Sequence, residues 1–322
     1  MKALSYKAGL FYFAYMIAPA YLKKGDTISI VAPGKKTNRI AVENSVKIFE
    51  EWGLHVQVAN NIFSDDHSYL AGTDVQRLED FQHAINSKEV KAIVCARGGY
   101  GSTRILDQLN YDAIKQYPKW IVGFSDITAF HLKLLRLGYQ SIHSTMPILF
   151  TDSDSPSSVE SLRNLLFGLD NQLVALTKSI NRIGYASGET IGGNLSLIVD
   201  AMGTSSEPDT AGKILVLEEV EEYLYKIDRM LTQLKRGDKL KSLAGLVIGH
   251  FTNMQDTSVP FGESVQQIIL NAVNEYNYPV AFGFPVGHEN PNHAWRQGAN
   301  AILDVNAERA TLSFSTNETK NV

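Results

Sequence analysis

Cysteine is nearly missing from this chain: Cys95 is the only one in 322 residues. No intrachain disulfide can form, and Cys95, inside the apolar run KAIVCA, reads as a buried structural thiol. That agrees with a reducing compartment, and the cytoplasm is the expected location. Long runs of Lys or Arg are missing too, and the formal charge is −4. The electrostatic footprint of a nucleic-acid binder is therefore lacking, and a small molecule or peptide is the expected partner. The amino-terminal MKALSYKAGLFYFAYMIAPAYLKKGD imitates a secretory signal, with two lysines, a short apolar stretch and A-P-A. It is too short to span a membrane, and Met16 offers an equally good start. Internal repeats and low-complexity tracts are absent. No ligand pair stands at metal-binding spacing, since His288-Glu289 and His293 miss the H-E-x-x-H frame by one residue. Neither a metal nor a cofactor is expected.

What is present is alternation. TISIVAP reads as a buried strand, NRIAVENSVKIFEEW as a helix and HVQVANN as a strand. Thr73-x-x-Gln76 reads as a capping box opening a helix through Asn86; KAIVCA and WIVGF are the next strands, with the glycine loop GGYGS between them. This pattern predicts a parallel sheet with helices on both faces, and ligands then sit beyond the carboxyl ends of the strands. A helix SLRNLLFG and short β-like pieces around Leu173 to Gly184 follow. The second half reads as a glycine-led helix GGNLSLIVDAM, strand KILVLEE, helix EEYLYKIDRMLTQLKRG, strand LAGLVIGH, helix ESVQQIILNAVNEY, strand YPVAFGF and terminal strands AILDV and ATLSF. The expected fold class is α/β: an N-terminal parallel-sheet α/β sandwich over 17–167, a linker over 168–180, and a mixed α/β domain with its own sheet over 181–322.

The chemistry concentrates at strand ends. In PKWIVGFSDITAF, Ser125 stands where an apolar run meets an amphipathic one. The tetrapeptide alone reads as a helix cap. The alternative is a nucleophile lifted out of a sharp strand-to-helix turn, but Ile127 replaces the second glycine of the G-x-S-x-G elbow. A nucleophilic serine needs a base and the base an acceptor. Among eight histidines, His288 is best placed, just past the strand in AFGFPVGHEN, although a histidine there is more often an ordinary loop residue. Glu218 and Glu219 end the strand KILVLEE, and alternation lets only one point to a given face; strand-end carboxylates are usually solvated. PGKKT lacks the upstream glycine of a phosphate loop, and GGYGSTR puts Arg104 where a dinucleotide fingerprint needs its last glycine. Ile127, Phe130, Leu134 and Leu137, like Leu224, Ile227, Leu231 and Leu234, recur at helical spacing and read as core.

Together, YLKKGDTISIVAP, YLAGTDVQRLEDF, KAIVCARGGYGSTRILDQLNYD, PKWIVGFSDITAFHL, IGGNLSLI, LVLEEVEEYLYKIDRML and FGFPVGHENPN resemble the LD-carboxypeptidase (muramoyltetrapeptide carboxypeptidase) family of serine peptidases, in the family's order. The resemblance implies a two-domain homodimer with its site between the domains. It implies a Ser125, Glu218 and His288 triad, Ser125 both capping its helix and attacking the carbonyl, and oxyanion donors at the backbone N–H groups of Asp126 and Gly99. The implied reaction is metal-free removal of the terminal D-Ala from murein tetrapeptide, cut at the L-centre of diaminopimelate or Lys, in peptidoglycan recycling. Arg97, Gly98, Tyr100 and His143 are candidate substrate-binding residues. Arg97 stands for the grip on the substrate carboxylate, against the bland reading of a structural ion pair. His143-Ser-Thr-Met146 and Ala294-Trp-Arg-Gln-Gly298 depart from the family pattern and are expected to border the pocket. A related branch cleaves peptide-nucleotide antibiotics of the microcin C type, and a muropeptide-binding module without turnover is the other alternative.

Overall fold

The computed structural model describes residues 16–169 and 172–315; most of the signal-like segment, up to residue 15, lies outside them. Strands buried on both faces of a parallel sheet need continuous apolar runs, and TISIV and VKAIVC supply them. The first sheet holds β1 (Thr27–Val31), β2 (His55–Val58), β3 (Val90–Cys95), β4 (Trp120–Gly123), β5 (Ser141–His143) and, from far along the chain, β11 (Trp295–Gln297), in the order β11-β5-β4-β3-β1-β2. β1 to β5 run parallel and β11 is antiparallel to β5. α1 (Arg39–Glu51) and α6 (Pro156–Leu166) pack on one face; α2 (Asp74–Asn86), α4 (Asp112–Gln116) and α5 (Thr128–Leu137) pack on the other. The capping box expected at Thr73 and Gln76 opens α2. The one-turn helix α3 (Ser102–Ile105) follows the glycine loop.

The second sheet holds β6 (Gln172–Leu176), β7 (Gly184–Asn194), β8 (Ile214–Val220), β9 (Gly245–Thr252), β10 (Val280–Phe282), β12 (Asn300–Val305) and β13 (Arg309–Phe314), in the order β10-β9-β8-β7-β12-β13-β6. It is mixed: parallel from β7 to β10, antiparallel from β7 through β12 and β13 to β6. α7 (Leu195–Asp200), α8 (Leu224–Arg236) and α9 (Val265–Ala272) share a core with its parallel half.

Three details differ from the sequence reading. The stretch read as linker contains β6, whose alternating QLVAL buries Leu173 and Ala175 against the second sheet. The glycines of GGNLSLIVDAM finish a strand rather than lead a helix, because Gly192 and Gly193 pair with Val216 and Leu217 of β8; the helix starts at Leu195, capped by Asn194. AWRQG and HSTM are buried segments rather than open loops. AWRQG supplies β11 and HSTM starts at the last residue of β5; the two strands pair with Trp295 opposite His143 and Gln297 opposite Ser141, and every residue of both segments is buried.

β11 ties the two halves together. The fully buried Gln297 amide accepts from the Gly192 N–H at 3.1 Å and donates to the Gly192 carbonyl at 2.8 Å, imitating a strand pairing between the sheets. Gln297→Leu would leave both backbone groups buried and unpaired. It is expected to lower unfolding stability by about 3 kcal/mol, measurable by urea denaturation.

Candidate active site

The site lies where the carboxyl ends of β4 and β8 meet the loop after β10. After Gly123 the chain turns through a short 3-10 segment, Ser125–Ile127, into α5. Ser125 adopts φ +62°, a left-handed conformation that costs a non-glycine residue of order 1 kcal/mol or more and clusters at functional sites. The cap expected of Ser125 is not formed: neither the 3-10 turn nor α5 has a side-chain cap. Instead, Ser125 Oγ lies 3.0 Å from His288 Nε2.

His288 Nδ1 lies 2.7 Å from Glu218 Oε2. An ionised carboxylate only accepts, so Nδ1 carries the hydrogen and Nε2 is left to accept from the serine. Glu218 is completely buried. Its neighbour Glu219 points the other way and accepts from Asn194 Nδ2 and the Ser196 N–H, both at 2.7 Å, at the start of α7. Alternation along β8 thus divides the two acids between a histidine and a helix start. Burial disfavours the His288 imidazolium, but the Glu218 charge and hydrogen bond, with Glu219 and Glu221 adding, outweigh it and raise its pKa.

The His288 loop is fastened from the other side. α6 supplies Ser158 Oγ, which accepts from the Asn292 N–H at 2.8 Å, and Ser161 Oγ, which accepts from the Ala294 N–H at 3.0 Å. Asn292 Oδ1 accepts from the Gly287 N–H at 3.1 Å. The Phe124 ring, 4.8 Å from the imidazole, closes one face.

The glycine loop after β3 faces the serine. A Cβ at Gly98 would stand 3.0 Å from Ser125 Cβ, 3.2 Å from its Oγ and 3.3 Å from the Asp126 amide nitrogen, so a larger residue there would crowd the serine by a few tenths of an ångström. Among the described residues no backbone hydrogen bond holds Gly98, Gly99 or Tyr100. Gly99 and Tyr100 are exposed at the rim. Arg97, half-buried, donates from Nη1 to the Lys36 carbonyl at 2.9 Å and has no carboxylate partner among the described residues. His143 has no exposed surface: β11 pairs alongside it and Trp295 stacks on its ring at 5.2 Å. Burial, the nearby His131 and His288 hold its pKa well below the usual value.

Sequence reasoning passed over Arg77, 1 % exposed. Its signal was its place at the head of the stripe Arg77, Phe81, Ala84 and Ile85, the buried face of α2. No group of three or more His, Cys, Asp or Glu suited to a metal occurs among the described residues, and no described helix is long and apolar enough to cross a membrane.

Hydroxyl, imidazole and buried carboxylate in hydrogen-bonded series, beside a glycine loop with free amides, place the protein in the class of serine hydrolases. More narrowly, the chain belongs to the LD-carboxypeptidase family: the model of its N-terminal domain matches residues 28–144 and that of its C-terminal domain residues 187–303. A putative carboxypeptidase of Synechocystis is 36 % identical over 300 residues, covering 92 % of this chain and 97 % of the relative. A probable murein peptide carboxypeptidase of Bacillus subtilis is 34 % identical over 315 residues, covering 95 % and 97 %. The crystal structure of muramoyltetrapeptide carboxypeptidase from Oxalobacter formigenes superposes with TM-score 0.82 at 26 % identity, over 90 % of this chain and 98 % of that one.

The geometry makes a direct prediction. Followed by NMR, the His288 imidazole should take up its proton above pH 6.5, its ordinary value. Glu218→Gln, which leaves burial and removes the charge, should move the midpoint below that of the parent.

Proposed function

We propose that the protein is an LD-carboxypeptidase that removes the terminal D-Ala from murein tetrapeptide, cutting after the L-centre of diaminopimelate or lysine. The observation that carries this reading is the Ser125, His288 and Glu218 series at 3.0 and 2.7 Å, in a chain of this family. Ser125 Oγ attacks the amide carbonyl as His288 Nε2 takes its proton. Glu218 holds the Nδ1–H tautomer and stabilises the imidazolium, and the raised pKa of His288 suits a base that must accept a proton. The oxyanion develops toward the amides of Gly99 and Asp126, flanking Ser125. His288 returns the proton to the leaving D-Ala amine, and water, activated by the same imidazole, cleaves the acyl-enzyme. Arg97, with guanidinium hydrogens to spare, grips the substrate's terminal carboxylate from beside the glycine loop, with Gly98 and Tyr100 shaping the rim. The enzyme works without a metal, as a cytoplasmic homodimer in peptidoglycan recycling.

Mass spectrometry of murein tetrapeptide after incubation tests this. The wild type should release one D-Ala with or without EDTA, and Ser125→Ala should lose activity by about 10⁴-fold or more. Arg97→Ala should raise KM about 10- to 100-fold with little change in kcat, the loss of one charge-assisted pair. An intact tetrapeptide with the wild type would refute the substrate assignment, and cleavage of a microcin C-type peptide nucleotide would then replace it.

A further inference from the structure

The amides proposed to meet the oxyanion belong to a loop segment, Gly98 to Tyr100, that no backbone hydrogen bond holds among the described residues. Its distance from Ser125 is set by what grips its ends. At the far end, Asp126, the residue after the serine, turns its side chain inward, 1 % exposed, and Oδ2 accepts from the Ser102 N–H at 2.9 Å. At the same place Arg77 donates from Nη1 to the Gly101 carbonyl at 2.9 Å and to the Pro33 carbonyl. Arg77 is itself oriented by Asp74, which Arg104 of α3 holds at 2.6 Å. Gly34 completes the contact: a Cβ there would stand 2.8 Å from Asp126 Oδ2, 3.2 Å from the Tyr100 carbonyl and 3.4 Å from the Gly98 carbonyl.

One carboxylate and one guanidinium therefore tie three segments together: the serine turn, the glycine loop and the Pro33–Gly34 corner. We infer that the Asp126 side chain and Arg77 are positioning residues that hold the Gly98–Gly99 backbone at oxyanion distance from Ser125. Neither side chain touches the reacting atoms. They act by keeping free amides in place before charge develops, which is where such donors gain their effect. The inference rests on the reading of Ser125 as the nucleophile, but not on the identity of the natural amide.

That independence sets the experiment. Two rates are read per folded molecule: phosphonylation of Ser125 by a fluorophosphonate, whose P–O oxygen occupies the oxyanion position, and tetrapeptide hydrolysis resolved into kcat and KM. Asp126→Ala is expected to slow phosphonylation and kcat by about 100-fold while KM stays within about threefold. Asp126→Asn, whose amide oxygen still accepts from Ser102, should lose less than about tenfold. Should Asp126→Ala fail to fold, Arg77→Lys decides: Nη1 serves both carbonyls while Nη2 pairs with Asp74, a division between two nitrogens that a single ammonium on a shorter stem cannot reproduce, and the same kcat-selective loss, about tenfold, is expected. Wild-type rates per folded molecule in Asp126→Ala or Arg77→Lys, or a loss confined to KM, would overturn the inference. If the wild type reacts with the probe but leaves tetrapeptide intact, the substrate reading fails and the clasp is still judged on phosphonylation. A wild type inert to the probe overturns both.

Discussion

A hydrogen bond of 3.0 Å between Ser125 and His288 joins residues 163 positions apart, one at the end of a strand in the first sheet, the other on a loop leaving the second. A displacement of 1 Å would break it, so each part of the fold that fixes the two sheets together is also part of the site. β11 does this most directly. Seven residues beyond His288, the chain enters the first sheet beside β5 and sends Gln297 back to Gly192 of the second. The hydroxyls of α6 then pin the intervening loop. The imidazole is positioned by the sheet that carries the serine as much as by the sheet that carries the glutamate.

The local chemistry follows from burial. Glu218, without exposed surface, lies 2.7 Å from the His288 imidazole, and the pairing raises the histidine's proton affinity against the effect of desolvation. At the other end of the series the strained backbone of Ser125 presents the hydroxyl outward, and the glycine loop approaches it with amides that secondary structure has left unused. Strain and unpaired donors normally count against stability. Here both sit at one point, where an attacking oxygen and a developing negative charge would use them.

Much of this was legible in the chain. Apolar runs bounded by glycine loops gave β1, β3 and β4; the Thr73 and Gln76 pair gave the start of α2; and the ordered family blocks singled out Ser125, Glu218 and His288, which the fold brings into hydrogen-bonded series. What was not legible depends on contacts distant in sequence. β5 and β11 are three residues each, too short to show a period, and AWRQG reads as loop until a partner strand is known. Ser125 looked like a cap because capping and elbow serines share the same flanking pattern; only the backbone angle separates them. Arg77 stayed hidden because an arginine on a helix is assumed to be solvated, while this one answers carbonyl groups from two separate loops.

The central claim is that serine and histidine, delivered by different sheets, act as one unit. Its most direct test is the hydrolysis of murein tetrapeptide by Ser125→Ala, His288→Ala and the double variant. The account predicts that all three lose kcat to within about tenfold of one another, because removing either member disables the other. A double variant slower by the product of the two single losses, or a His288→Ala enzyme with the wild-type rate, would contradict it.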